Sequence, residues 1–305
     1  MTNAKHTTLY YQTHFVKDGK AEHLVSPLAL VTNDAGVTDL NLGAVHLNDL
    51  DSDKEKHTPL TINDTVPEAD QFKPMWEEVE QIQANRSAQR MKVHAFVGGA
   101  AEGTFTRLEK DFGRYYPLLR DFLAKYHFDG VDLDIETEGR KMKDPTQAVG
   151  KVIDQLWQDF GPGFPISLAP GATELIEDKG GLSYVKYRDL YRSHGSKIAR
   201  FHAQFYCGWG SMSTKDDYLG VVRDSGIPAD KIVAGVVTQR DHCEGAGYVG
   251  LADLKKVIAA VEQECPGFGG VFGWEYHRSG ESDGTQYRDK PWLWAKEVST
   301  ALRGD

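Results

Sequence analysis

Short apolar runs recur along the chain, each closed by Gly, Pro or polar residues and followed by a longer stretch with helical spacing. The runs Thr8–Gln12, Asp39–Leu47, Lys92–Gly98, Gly130–Glu136, Pro165–Pro170, Arg200–Tyr206, Ile232–Thr238 and Gly270–Trp274 read as strands. Helical patterns fill the intervals at Ala69–Arg90, Arg107–Tyr126, Gln147–Phe160, Lys215–Ser225, Leu251–Glu264 and Lys290–Leu302. Leu251–Glu264 shows the period most plainly. Leu251, Leu254, Val257, Ile258 and Val261 share one face, and Cys265-Pro266-Gly267 is a stop signal. Strand–helix alternation sustained over 305 residues predicts a single-domain (β/α)8 TIM barrel spanning residues 1–305. An open doubly wound sheet is the rival architecture. The first crossover, residues 13–38, carries only a weak helix, and Leu50–His57 reads as a solvated loop after the second strand. Only Gln239–Gly250 separate the seventh strand from the next helix, too few for a large insertion domain. In such a barrel the chemistry sits at the C-terminal ends of the strands and in the loops that follow them.

Composition narrows the partners. Lys+Arg 35 against Asp+Glu 45 gives a net charge of −10, which repels phosphate backbones and argues against nucleic acid. No stretch reaches membrane-spanning length, so no membrane partner is expected. The three cysteines, Cys207, Cys243 and Cys265, stand far apart, form no CxxC and cannot all pair internally. They predict no disulfide scaffold, tolerance of a reducing compartment and, for Cys207, an inert buried thiol. The N-terminus has no apolar core of signal-peptide length. A cytoplasmic location is therefore the expectation, with secretion after removal of a leader as the alternative. The triplets Asn63-Asp64-Thr65 and Asn85-Arg86-Ser87 would matter only in the second case.

The most informative stretch is Asp129-Gly130-Val131-Asp132-Leu133-Asp134-Ile135-Glu136. Strand alternation sends Val131, Leu133 and Ile135 outward beneath the helices and aligns Asp132, Asp134 and Glu136 on the inner face. Three carboxylates facing a barrel interior cannot all ionise without strong repulsion, and their protons must titrate as a coupled set. Such a cost to folding points to a catalytic site. An amphipathic strand with its acidic face in water is the bland alternative, and a fourth barrel strand leaves no water on that face. The spacing does not fit an EF-hand loop, although a magnesium site needing one or two carboxylates stays compatible with it. The eleven histidines show no metal-type cluster, and no metal or cofactor is expected.

This stretch resembles the DGxDxDxE signature of glycoside hydrolase family 18, which contains chitinases and endo-β-N-acetylglucosaminidases on a (β/α)8 barrel. Further segments are similar to family motifs. Val97-Gly98-Gly99 resembles the GG motif of the third strand, and Gln204-Phe205-Tyr206 the QFY of the sixth. Gly269–Glu275 resembles the eighth-strand motif ending in Trp. Val45–Asp49 and Gly98–Phe105 look most like small fungal endo-β-N-acetylglucosaminidases acting on N-glycans. The resemblance implies Glu136 as the acid, Asp134 as the residue orienting the sugar's acetamido group, Asp132 as its proton-sharing neighbour, and Tyr206 as a positioning hydroxyl. It implies substrate contacts from Gln204, Trp274, Gly99 and Asp129. It also implies an N-glycan or chitin-type oligosaccharide as the partner of a monomeric enzyme. An endochitinase and a non-catalytic carbohydrate-binding relative are the other readings, and the presence of Glu136 counts against the second. One departure stands out. The family often has Ser where this chain has Phe96, so Asp132 is expected to be held differently.

Overall fold

In the computed structural model, which describes residues 5–18, 21–53, 58–85, 87, 90–177, 181–281 and 289–304, the chain closes a parallel barrel. Its strands are β1 (His6–Tyr11), β2 (Asp39–Leu47), β3 (Lys92–Gly99), β4 (Gly130–Ile135), β5 (Ile166–Leu168), β6 (Arg200–Gln204), β7 (Ile232–Val237) and β8 (Gly270–Trp274). Each pairs with its sequence neighbours, and β1 pairs in parallel with both β8 and β2, which shuts the ring.

The apolar residues form two cores. The larger lies between the strands and the surrounding helices and takes the outward residues Val131, Leu133 and Ile135 of β4. The smaller fills the barrel interior with Tyr10, Ala44, Phe96, Tyr206, Val233, Val237 and Phe272. Tyr10 meets Phe96 edge-on at 5.1 Å and Phe272 at the same centroid distance. Aromatic rings thus occupy the space that the carboxylates of β4 must share, and they exclude water from it.

The helical expectations hold in outline and fail at boundaries. Arg107–Tyr126 is two helices, Thr104–Lys110 and Phe112–Lys125, because Asp111 leaves helical geometry and its carboxylate accepts from Arg114 N–H. The expected helix from Ala69 runs as Lys73–Ala84 and stops at the extended Asn85. The first crossover holds a hairpin, Phe15–Asp18 with Ala21–Leu24, and a short helix, Leu28–Thr32. After β2, Leu60–Ile62 returns antiparallel to Val45–Leu47, while residues 54–57 of the expected loop lie outside the described residues. The Asn63 side chain is engaged within the protein: it accepts from Ala44 N–H at 3.0 Å and donates to the Gln12 carbonyl at 2.6 Å, joining the end of β1 to the middle of β2.

Candidate active site

The inward alternation of β4 is realised. Asp132 and Asp134 are buried inside the barrel, and Glu136 follows at the strand's C-terminal end, half-buried. A cleft of about 480 Å³ opens there, lined by Asp134, Glu136, Tyr10, Gln204, Tyr206 and Trp274. Gly98 and Gly99 form its edge with φ of 101° and 91°, a region that favours glycine. A Cβ on Gly98 would stand 2.2 Å from the Asp134 carbonyl oxygen, so the third strand can leave the barrel beside Asp134 only without a side chain.

Asp132 is the best anchored of the three acids. Its Oδ2 accepts from the Tyr10 hydroxyl at 2.6 Å, and its Oδ1 accepts from Ser167 Oγ at 2.5 Å and His202 Nδ1 at 2.7 Å. Burial alone would raise its pKa, but the His202 imidazole and these donors together bring it below the ordinary carboxylate value. Burial lowers the pKa of His202 against the pull of Asp132, and its Nε2 finds no partner among the described residues, so Nδ1 is the ring nitrogen engaged with the acid. Asp134 differs. Burial, then the charges of Glu136, Asp132 and Glu174, push its carboxyl well above the usual range. Its partner is Gln204, whose Nε2 lies 3.4 Å from Oδ1 and 3.0 Å from the Ala169 carbonyl oxygen. Glu136 is also raised, by burial first and by the Glu174 charge, with a Gln204 hydrogen bond pulling the other way. The cluster therefore carries one settled negative charge, at Asp132, and holds Asp134 and Glu136 towards their protonated forms. The Tyr206 hydroxyl is kept protonated by burial and by the same acids, and so remains a donor facing the cleft. A raised-pKa carboxyl beside a second protonated acid and a hydroxyl donor can deliver a proton to a leaving group and hold a polar substituent nearby.

No family model and no curated protein matches the chain. Solved structures do. A fungal endo-β-N-acetylglucosaminidase from glycosyl hydrolase family 18 is 31% identical, with a TM-score of 0.83 over 99% of each chain. The chitinase ChiC from Aspergillus fumigatus is 34% identical, with a TM-score of 0.80 over 98% of this chain and all of that one. The chain belongs to glycoside hydrolase family 18. A family 18 chitinase from Pseudoalteromonas aurantia, at 20% identity and a TM-score of 0.74, repeats the barrel alone.

Within this family 18 hydrolase, the expected residues separate into those the barrel brings together and one it does not. Glu136, Asp134, Tyr206, Gln204, Gly99 and Trp274 all line the cleft, with Asp132 directly beneath. Asp129 is the exception. It precedes β4 at the opposite end of the barrel, seven residues from Glu136 and so roughly 20 Å away along an extended strand. Its carboxylate is taken by both terminal nitrogens of Arg90 and by Val93 N–H, which makes it a structural anchor and not a sugar ligand. Replacing Asp129 with Ala leaves Arg90 largely buried and unpaired. The expected result is a loss of about 3 kcal/mol in urea unfolding with KM unchanged, and a raised KM at full stability would return Asp129 to the binding site.

Alternation along the expected strand Arg200–Tyr206 puts His202 on the face of Gln204 and Tyr206, a signal from which the His202 support could have been found. Tyr10 and Ser167 were not, because their meeting with Asp132 depends on how the ring closes. Ser167, from the fifth strand, supplies the hydroxyl whose absence at Phe96 was noted. Two loop carboxylates gave no sequence signal. Glu138, two residues past the acid, accepts from the N–H groups of Gly103, Phe105 and Thr106 through Oε2 and ties the loop after β4 to a helix start. Glu174 accepts from Gly171 and Ser183 and frames the loop after β5. Glu275 accepts from the N–H groups of Gln12 and Thr13 and from the Thr13 hydroxyl, fixing the loop after β1. The expectation of an inert free thiol at Cys207 is overturned. Cys207 is joined to Cys243, 36 residues on, and Cys265 alone is free.

Proposed function

We propose that the protein is an endo-β-N-acetylglucosaminidase that hydrolyses the GlcNAc-β-1,4-GlcNAc core of high-mannose N-glycans with retention of configuration. The observation that carries the reading is the form of the cleft. Beyond Tyr10, Phe96 and Tyr206 packed around the acids, its large aromatic side chains are Trp274 and Trp209, and its rim carries the short or polar Ala100, Ala101, His46 and Gln12. A compact hollow of this kind suits the bond between two GlcNAc units with a branched glycan spreading over the rim. A long chitin chain would call for aromatic platforms in series.

In this mechanism Glu136 gives its proton to the glycosidic oxygen, helped by the burial that raises its pKa. The nucleophile is the carbonyl oxygen of the substrate's own 2-acetamido group, the substrate-assisted exception to two-carboxylate hydrolysis. It attacks the anomeric carbon as the bond to the leaving oxygen breaks, giving a cyclic oxazolinium. Asp134 hydrogen-bonds the acetamido N–H and, by passing its proton towards Asp132, presents negative charge as the ring becomes positive. Tyr206 holds the acetamido oxygen in line, a proximity effect. Gln204 steadies Asp134, Gly99 gives the sugar a close backbone approach, and Trp274 forms the apolar floor. Water, deprotonated by Glu136, then opens the ring from the same face the leaving group left.

The test is a mobility shift of a high-mannose glycoprotein, with the released glycan ending in one reducing GlcNAc of β configuration in early-time NMR. An α product would point to direct water attack. The chitinase reading draws on the likeness to ChiC, and it replaces ours if the glycoprotein stays intact while chitin tetramers are split quickly.

A further inference from the structure

The cleft wall opposite β4 is built by the loop after β7, and that wall carries a group with no part in the hydrolysis. Cys207 directly follows Tyr206, and its disulfide partner Cys243 follows His242. One ligand atom from each of Cys207, His242 and Cys243 lies within 4.8 Å of the others, and all three residues line the cleft. We propose that Cys207, His242 and Cys243 are a second site, which on reduction of the disulfide binds a thiophilic divalent cation, zinc foremost.

The backbone holds these ligands together independently of the sulfur–sulfur bond. Cys207 N–H donates to the Ala246 carbonyl at 3.0 Å, and Tyr248 forms a parallel bridge with Val237. Gly247 lies so close to Tyr206 that a Cβ would stand 2.4 Å from its Cα. Cys207, Cys243 and Glu244 have φ of 54°, 49° and 55°, left-handed conformations that non-glycine residues keep only where the surroundings impose them. The cysteine Cα atoms are 5.3 Å apart. Two zinc–sulfur bonds of about 2.3 Å at a tetrahedral angle place the sulfurs about 3.7 Å apart, a separation reached by side-chain rotation at fixed Cα positions. Two thiolates and an imidazole form a soft donor set that selects zinc or cadmium over magnesium or calcium. Three protein ligands leave the fourth position facing the cleft.

The chemistry balances with a dithiol as reductant. The dithiol gives two electrons and two protons, becoming a cyclic disulfide, and Cys207 and Cys243 become thiols. The cation then displaces both thiol protons, and the neutral imidazole releases none. The His242 ring stands 6.3 Å from Tyr206 and 6.4 Å from Trp274, so a cation held there occupies the sugar's side of the wall. The disulfide and the metal are thus alternative occupants of one position, whichever glycan the enzyme cuts.

The experiment uses the full chain carrying Cys265→Ser, which leaves this pair as the source of thiols. The protein is reduced with dithiothreitol, freed of it without air, and titrated with cadmium. One equivalent is expected to bind with thiolate-to-metal charge-transfer absorption, zinc should displace it, and turnover should fall at least tenfold and return with chelator. The oxidised protein should give no such band. His242→Ala should keep the band and weaken binding about tenfold or more, and Cys207→Ser with Cys243→Ser should abolish it. An equal band in oxidised protein or in the double serine variant overturns the proposal. So does a reduced protein with two titratable thiols and no band, a disulfide that excess dithiol leaves closed, or a reduced protein that loses its near-ultraviolet circular dichroism. Cadmium binding with turnover unchanged overturns the placement on the cleft.

Discussion

Glu136→Gln is expected to lower hydrolysis by about 10² to 10⁴-fold while the protein folds as well as before or better. The amide keeps the size of the carboxyl but has no proton to give. The stability side follows from the direction of the pKa shift. Burial and the Glu174 charge raise the folded pKa of Glu136 above its unfolded value. Its contribution to stability is therefore complete below the unfolded pKa and declines as pH rises through the folded one. At neutral pH the charged form is a burden that the amide removes, so the variant's urea midpoint should match or exceed wild type. The same shift sets the alkaline limb of the wild-type rate profile, since the protonated acid is lost as pH rises through its raised pKa, and that limb should be absent from the residual activity of the variant. Near wild-type turnover in Glu136→Gln would remove this residue from the acid role.

Asp134→Asn should separate positioning from proton transfer. The amide can still hydrogen-bond but cannot become negative opposite the oxazolinium, so hydrolysis of the natural glycan should fall about 10²-fold or more, the loss seen when one preorganised group at a developing charge is removed. A preformed oxazoline donor has already passed that step. The variant should accept it and, because it destroys the product slowly, accumulate transglycosylation product. Tyr206→Phe should slow formation of the ring while leaving Glu136 competent, and so lose less. Product mass over time on both donors gives the answer. Normal hydrolysis of the natural glycan by Asp134→Asn would make the residue structural only.

The barrel was legible because its strands are written locally. Asp39–Leu47 and Gly270–Trp274 begin and end where the apolar pattern begins and ends. The acid row followed from alternation along one strand. What stayed hidden was set by closure. Tyr10 reaches Asp132 across 122 positions, and no pattern near either residue announces that contact. The Cys207–Cys243 bond was hidden for the same reason, and the odd count of cysteines argued the other way. Asp129 misled because a motif read as one unit spans the whole length of a strand. Its first residue serves the floor of the barrel and its last serves the mouth.

The three donors to Asp132 come from the first, fifth and sixth strands. The innermost acid is therefore a spoke joining separate staves of the ring, and the bond-breaking we propose shares its anchorage with the barrel's own integrity. Inheritable change has little freedom there, since a substitution that alters the spoke also loosens the frame. The rim is different. Its loops hang on their own ties, Asn63, Glu138, Glu174 and Glu275, each confined to one or two crossovers. A lineage built on this chain can exchange one rim segment and its tie for another and acquire a new glycan preference while the scission chemistry passes down unaltered.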